Sequence, residues 1–289
     1  MTTSTDPLTF NEAGVGVWGP PISFEVTAER ISEYAKATND PIAAHLAGEV
    51  APPVFAVIPM FEGLTPAVLS IAPEALLNYV VHGEQDIRFY EPLTTGLTLV
   101  SRAKPVGFEG KSSGTRATVY VESRDQAGKL VTEQWVTFFF RGFDAGTTIG
   151  DGAPAHRLDP SVLAQPVLRV VRQHIDADQT FRYGPAAGDP MPIHLDEAVA
   201  KAAGLPGIIV HGLCTLAFTS WATLRQFAGE DASRIRRLAV RFSKPVLPGQ
   251  DITTSYWQAS QSPEVTSYAF QTAVGDATVL TDGLVEIRR

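Results

Sequence analysis

Cysteine is almost missing, since Cys214 is the only one in 289 residues. One thiol cannot build an internal disulfide framework, and it suits a reducing compartment. Positive charge is scarce as well. There are 23 Lys and Arg against 31 Asp and Glu, and the resulting net charge of −8 argues against nucleic acid as a partner, because phosphate backbones need a basic surface. No apolar run approaches the ~20 residues that span a bilayer. The opening MTTSTDPLTF has neither a basic start nor an apolar core, so no secretory leader is expected there. These absences point to a cytoplasmic protein without membrane or nucleic-acid partners. What is present is ordinary for a globular chain, 44% apolar and 19% charged. The length allows one large domain or two of about 100–150 residues.

The chain repeats itself, which decides between those alternatives. At an offset of 149, Val26 matches Ile175, Ala28 matches Ala177, Tyr34 matches Tyr183, Asp40 matches Asp189 and His45 matches His194. Further on, Arg88-Phe89-Tyr90-Glu91-Pro92 answers Arg241-Phe242-Ser243-Lys244-Pro245 at an offset of 153, and Gly96 and Gly249 close the two stretches. The second copy thus gains residues after His194, where the run to Pro206 predicts an extra helical piece. Each copy is expected to hold a strand and short helix, an Asp/His loop, a long apolar helix, and then several strands.

The long helices are placed at Val54–Leu69, interrupted near Pro59 and Pro66, and at Gly212–Phe227, bounded by Gly229. β-Branched and aromatic alternation places strands at Val80–Phe89, Thr98–Pro105, Thr115–Glu122 and Lys129–Arg141 in the first copy. In the second it places them at Leu238–Phe242, Asp251–Ala259, Glu264–Val274 and Thr278–Arg288. Residues 1–20, polar and rich in Gly and Pro, read as a loosely attached tail, and Gly142 to Pro166 reads as a linker. A long helix followed by consecutive antiparallel strands buries its surface when the sheet wraps the helix, an α+β arrangement.

Chemistry concentrates between Phe181 and Trp221. Gly188-Asp189-Pro190-Met191-Pro192-Ile193-His194 sets an acid and an imidazole five positions apart on a proline-stiffened segment. His211-Gly212-Leu213-Cys214-Thr215 then opens the apolar helix. A helix that begins on a bare glycine offers backbone N–H groups and positive partial charge to a developing oxyanion.

The pattern G-D-x-x-P-I-H followed by H-G-L-C-T resembles the hydratase motif of the MaoC-like (R)-specific enoyl-CoA hydratase family. The resemblance implies a double hotdog, two tandem repeats each with an antiparallel sheet wrapped around a central helix. It implies residues 1–145 as a degenerate N-terminal hotdog that houses the acyl chain, 146–168 as linker, and 169–289 as the catalytic hotdog. It also implies reversible hydration of trans-2-enoyl-CoA to (3R)-3-hydroxyacyl-CoA by a homodimer, with a coenzyme A thioester as substrate and no further cofactor. Asp189, His194 and Gly212 fall where the family has catalytic residues. Met191 stands where the family motif D-x-N-P-I-H has asparagine.

Substrate contacts are expected from Met191 and His211, from Phe55 and Val57 along the acyl chain, and from Arg237 and Arg241 toward coenzyme A phosphates. The last two belong to the basic cluster Arg234, Arg236, Arg237, Arg241 and Lys244, for which a solvated strand edge is the competing reading. His211 is expected to hold the loop as well. Cys214, among Leu213, Leu216 and Phe218, reads as a small buried apolar residue. The spacing of Asp189, His194 and His211 matches no zinc pattern, so no metal is expected. Asp40 and His45 read as a relic of the duplication. Two alternatives stay open, an acyl-CoA-binding protein without activity, favoured by Met191, and a hotdog acyl-CoA thioesterase.

Overall fold

The computed structural model describes residues 8–289. The first half runs β1 (Ile22–Glu25), α1 (Ala28–Ala37), α2 (Ala43–Leu46), a 3-10 segment (Pro53–Met60) leading into α3 (Phe61–Leu69), and then β2 (Val80–Phe89), β3 (Thr98–Lys111), β4 (Gly114–Arg124) and β5 (Leu130–Arg141). After β6 (Thr148–Gly150) and α4 (Pro160–Leu163) the order recurs. It runs β7 (Arg169–His174), α5 (Gln179–Ala187), α6 (Glu197–Ala202), α7 (Gly212–Thr223), β8 (Ile235–Phe242), β9 (Asp251–Gln261), β10 (Val265–Val274) and β11 (Ala277–Arg288). The extra helical piece expected after His194 is α6, capped by Asp196, whose carboxylate accepts from the N–H groups of Ala198 and Val199. Gly96 and Gly249 both adopt the left-handed backbone (φ 84° and 82°) that lets the repeated turn close.

The strands form a single sheet in the order β1-β3-β4-β5-β2-β8-β11-β10-β9-β7, with β6 added beside β3. All pairings are antiparallel, and the halves join through β2 and β8. Each half-sheet wraps its own apolar segment, so this is the double hotdog arrangement. One core cluster runs through both halves, from Phe10 to Ile287. α7 is apolar around its circumference and buried along its length, as a helix enclosed by a sheet must be. Most of its hydroxyls are satisfied inward, as where Thr219 meets Thr272 at 3.0 Å and Thr272 meets Thr254 at 2.8 Å, while the buried Thr215 hydroxyl has no partner among the described residues.

Three expectations need correction. The helix expected over Val54–Leu69 is a 3-10 segment up to Met60, because Pro53 and Pro59 lack the N–H groups an α-helix would use there. α7 ends at Thr223, and a π turn, Leu224–Ala228, carries the chain to a left-handed Gly229. The tail is not loose where the structure describes it, although residues 1–7 lie outside the described residues. Phe10 is buried against Phe108 and Phe140, and Asn11 bonds the carbonyls of Ser70 and Ile71. The polar composition of that stretch hides two anchoring aromatics, Phe10 and Trp18, the latter edge-on to Tyr120 at 5.8 Å.

The linker is also docked. β6 pairs with β3, His156 bonds the Asp282 carbonyl at 2.8 Å, and the Trp257 indole donates to Gln165. Val162 packs on Trp257 and Ala269 in a small separate cluster.

Candidate active site

α5 and the turn after it present the acid. Gly188 caps α5 in the left-handed conformation, and the Asp189 N–H returns to the Gly184 carbonyl at 3.0 Å. One Asp189 oxygen accepts the Met191 N–H at 3.2 Å. Pro192–His194 then form one 3-10 turn that swings the imidazole inward. The buried Thr180 hydroxyl on α5 holds the His194 carbonyl. His194 donates from Nδ1 to the Ile209 carbonyl at 2.8 Å. A carbonyl only accepts, so this bond puts the proton on Nδ1 and leaves Nε2 with a bare lone pair.

His211 immediately precedes α7. Its Nε2 lies 3.3 Å from the Asp189 main-chain oxygen, and its ring stacks on His194 with centroids 3.8 Å apart. Tyr183 backs it, 4.9 Å away. The chain places donor atoms of Asp189, His194 and His211 within 4.8 Å of one another. Two of these sit on stacked rings, whose in-plane lone pairs run side by side rather than converging as a tetrahedral metal requires.

No side chain caps α7, and while the His211 carbonyl accepts from Cys214 and Thr215, the N–H groups of Gly212 and Leu213 stay available to a ligand. The glycine is also sterically required, because a Cβ there would lie 2.9 Å from the Phe242 ring. Cys214 is fully buried and its thiol is pushed well up by that burial, which removes it as a nucleophile.

Burial pushes the His194 imidazole below its ordinary value, against the opposing pull of the Ile209 carbonyl and Asp189. His211 is pushed down to about 3, first by burial and then by His194. Both are therefore neutral at pH 7 in the native state. Unfolded imidazoles titrate near 6.5. Below that pH the unfolded chain binds protons the native one refuses, so this stability is present above about pH 6.5 and drains away as pH falls toward 3. The expected slope is up to about 1.4 kcal/mol per pH unit for His211. Urea midpoints should drop between pH 7 and 5, and His211→Gln should flatten the drop; equal slopes in the two proteins would contradict the pKa assignment.

The other expected site residues scatter. Met191 is 45% exposed on the outer side of the loop. Its replacement of asparagine costs one neutral hydrogen bond, about 0.5–1.5 kcal/mol, so Met191→Asn should change hydration by no more than roughly tenfold. Steady-state kinetics showing a change of several orders of magnitude would reject that reading. Phe55 and Val57 are fully buried in the 3-10 segment that packs along α7. Phe55 meets Phe24 and Tyr34, and Tyr34 meets Tyr183 at 5.7 Å, so an aromatic chain links this segment to His211.

The two arginines part company. Arg241 is exposed beside Phe242, whereas Arg237 makes a two-pronged ion pair with the buried Asp86 (3.0 and 2.7 Å) and reaches Glu286. Its guanidinium is committed to holding β2 to β8. Asp40 and His45 are also paired, at 2.7 Å, with neither side chain exposed. Sequence reasoning missed His82. Its ring lies 4.8 Å from Phe242, the residue that crowds Gly212, so the first half contributes to the wall of the second half's site. Within β2 nothing but strand alternation marked it.

The fold and site together define a double hotdog protein with its polar residues in the C-terminal repeat. A MaoC like domain matches residues 160–281, and an MFE-2 hydratase 2 N-terminal domain matches 48–142. A 3-hydroxyacyl-thioester dehydratase Y from Mycobacterium tuberculosis is 32% identical over 242 residues, 81% of this chain and 80% of that one. The peroxisomal multifunctional enzyme type 2 of Drosophila melanogaster is 33% identical over 218 residues, 71% of this chain. The chain spans only about a third of that protein's length (36%). A crystal structure of a MaoC-like dehydratase from Phytophthora capsici superposes with a TM-score of 0.83 at 24% identity, covering 96% of this chain and 98% of that one. The chain belongs to the MaoC-like dehydratase family.

Proposed function

We propose that the chain reversibly hydrates trans-2-enoyl-CoA to (3R)-3-hydroxyacyl-CoA. The observation that carries this reading is the meeting of Asp189, His194 and His211 within 4.8 Å beside the uncapped start of α7 at Gly212. A water held between the Asp189 carboxylate and the bare Nε2 of His194 attacks C3, and its proton passes to Asp189. Charge moves onto the thioester oxygen, where the Gly212 N–H stabilises it; such a donor is typically worth about 2.7–4 kcal/mol. C2 then takes a proton from the same acid–imidazole pair. The elements of water have added across C2=C3, and both side chains return to their starting protonation. The thioester itself acidifies C2, so the scheme uses no metal or redox cofactor.

The acyl chain lies along the 3-10 segment that carries Phe55 and Val57, and Arg241 faces the coenzyme A phosphates. Arg237 has no part in that contact, since Asp86 holds it. If this is the acyl channel, Phe55→Ala and Val57→Leu should shift chain-length preference more than they change the rate on a four-carbon substrate. A preference unchanged from C4 to C12 in competition assays would move the channel elsewhere.

The same reading places the enzyme in the cytoplasm as a homodimer. Exposed Val167, Leu168 and Val170 beside the edge strand β7 support an association surface, which light scattering tests. No helix among the described residues is long and apolar enough to cross a membrane.

One assay tests the activity. Crotonyl-CoA is incubated with the protein while enoyl absorbance and free thiol are followed together. Loss of the enoyl signal without thiol is the expected result. Thiol release would make the protein a thioesterase, and no change would leave it an acyl-CoA binder.

A further inference from the structure

β2 and β8 pair so that Asp86 faces Ala239, its own counterpart 153 positions on. An antiparallel pair in which a residue meets its repeat partner has a local two-fold axis at that point. Every feature around the start of α7 therefore has a rotated place in the first half. His82 maps onto Ile235, and Phe242 maps onto Phe89. A recess of about 20 Å³ lies at that rotated place, lined by Ala51, Pro53, Phe89, Glu91, Leu93 and Ile235, among others. It shares Phe89 and Tyr90 with a second cavity of about 190 Å³, whose remaining walls are Arg88, Arg236, Arg237 and Glu286.

This rotated pocket lacks the means to activate water. Its acid and imidazole, Asp40 and His45, are fully buried and bonded to each other. The 3-10 segment beside it begins at Pro52 and Pro53, which have no N–H to offer. What it has instead is charge. Arg237 is taken by Asp86 and Glu286. Among the described residues Arg88 and Arg236 enter no ion pair, and Arg88 lies 4.9 Å over the Trp135 ring, which fixes its guanidinium plane. The acids nearby are all engaged, Glu286 by Arg237, Glu91 by Lys129, and Glu133 by the Tyr90 hydroxyl that it accepts. At the catalytic mouth the corresponding positions of β2 and β8 are Arg241, Gly83 and Glu84. Three guanidiniums in the idle half thus answer one guanidinium and one carboxylate in the active half, within a chain of net charge −8.

We infer that the first half retains a second, non-catalytic site for coenzyme A, in which Arg88 and Arg236, in the walls of the 190 Å³ cavity, hold the phosphates. Planar guanidiniums match phosphate oxygens in a way lone ammonium groups do not. The inference takes coenzyme A as carrier from the hydratase reading, yet it is measured by binding alone, so each can fail without the other.

The test is calorimetric titration of the full chain with free coenzyme A, beside crotonyl-CoA kinetics. Two equivalents per chain are expected. Arg88→Gln/Arg236→Gln should bind one, with KM for crotonyl-CoA kept within about twofold. A wild-type count of one overturns the inference, as does a count of two in the arginine variant. A tenfold rise in KM in the arginine variant would overturn it too, by assigning these arginines to the catalytic site.

Discussion

Asp189→Asn and His194→Ala should each lower kcat/KM for crotonyl-CoA hydration by about 10²–10⁴-fold, the range a positioned acid–base group supplies. In the proposed reaction the two side chains act on a single water. The Asn variant keeps the shape and the oxygen that accepts the Met191 N–H, but an amide is a far weaker base. The Ala variant removes Nε2 and the Ile209 bond that sets the tautomer. Once either is gone the other has no properly held water to act on, so the double variant should be little worse than the more damaged single. Circular dichroism and thermal melts must show a native fold in each. Full activity in either single variant would reject the assignment, and multiplicative losses in the double would mean that the residues act in separate steps.

The largest stability effect belongs to the half without chemistry. Asp40 and His45 form a hydrogen-bonded pair with no side-chain exposure, and the other Asp40 oxygen accepts the Ile42 N–H. Removing one member strands the other in a low dielectric, so Asp40→Ala should cost about 3–5 kcal/mol in urea unfolding. Asp40→Leu/His45→Leu removes both polar groups and should recover much of the loss, because no orphan is left. Hydration per folded molecule should change little, since the pair lies in the rotated, inactive position. A cost below about 1 kcal/mol for Asp40→Ala would mean that the pair is not a stabilising element.

The contrast between this pair and Asp189/His194 shows where sequence reading stops. The five-residue spacing is the same in both copies, and sequence alone could call the first only a relic. Burial decides the difference. Asp40 and His45 turn toward each other under a closed surface, whereas Asp189 is half-exposed and His194 bonds the Ile209 carbonyl instead. The arginines tell a similar story, since the sequence shows one basic cluster from Arg234 to Lys244. Arg237 and Arg241 share one face of β8, and it is their position along β2 that gives Arg237 to Asp86 and, among the described residues, leaves Arg241 outside any ion pair.

The sequence by itself determined the duplication, the α+β class, the position of nearly every strand, and the Asp189, His194 and Gly212 constellation. Each of these is written in spacings of a few residues, and covalent geometry and local hydrogen bonds convert such spacings directly into turns, caps and strands. Tertiary structure alone decided that the two half-sheets fuse through β2 and β8, that Phe10 and the linker are docked, and that His82 from one half walls the site of the other. It also decided which of two identically spaced acid–imidazole pairs is closed off by burial. Those outcomes depend on contacts between residues far apart in the chain, 41 positions for Phe108 and Ile149 and 153 for Asp86 and Ala239, where burial and pairing are set by the whole sheet and leave no local trace in the chain.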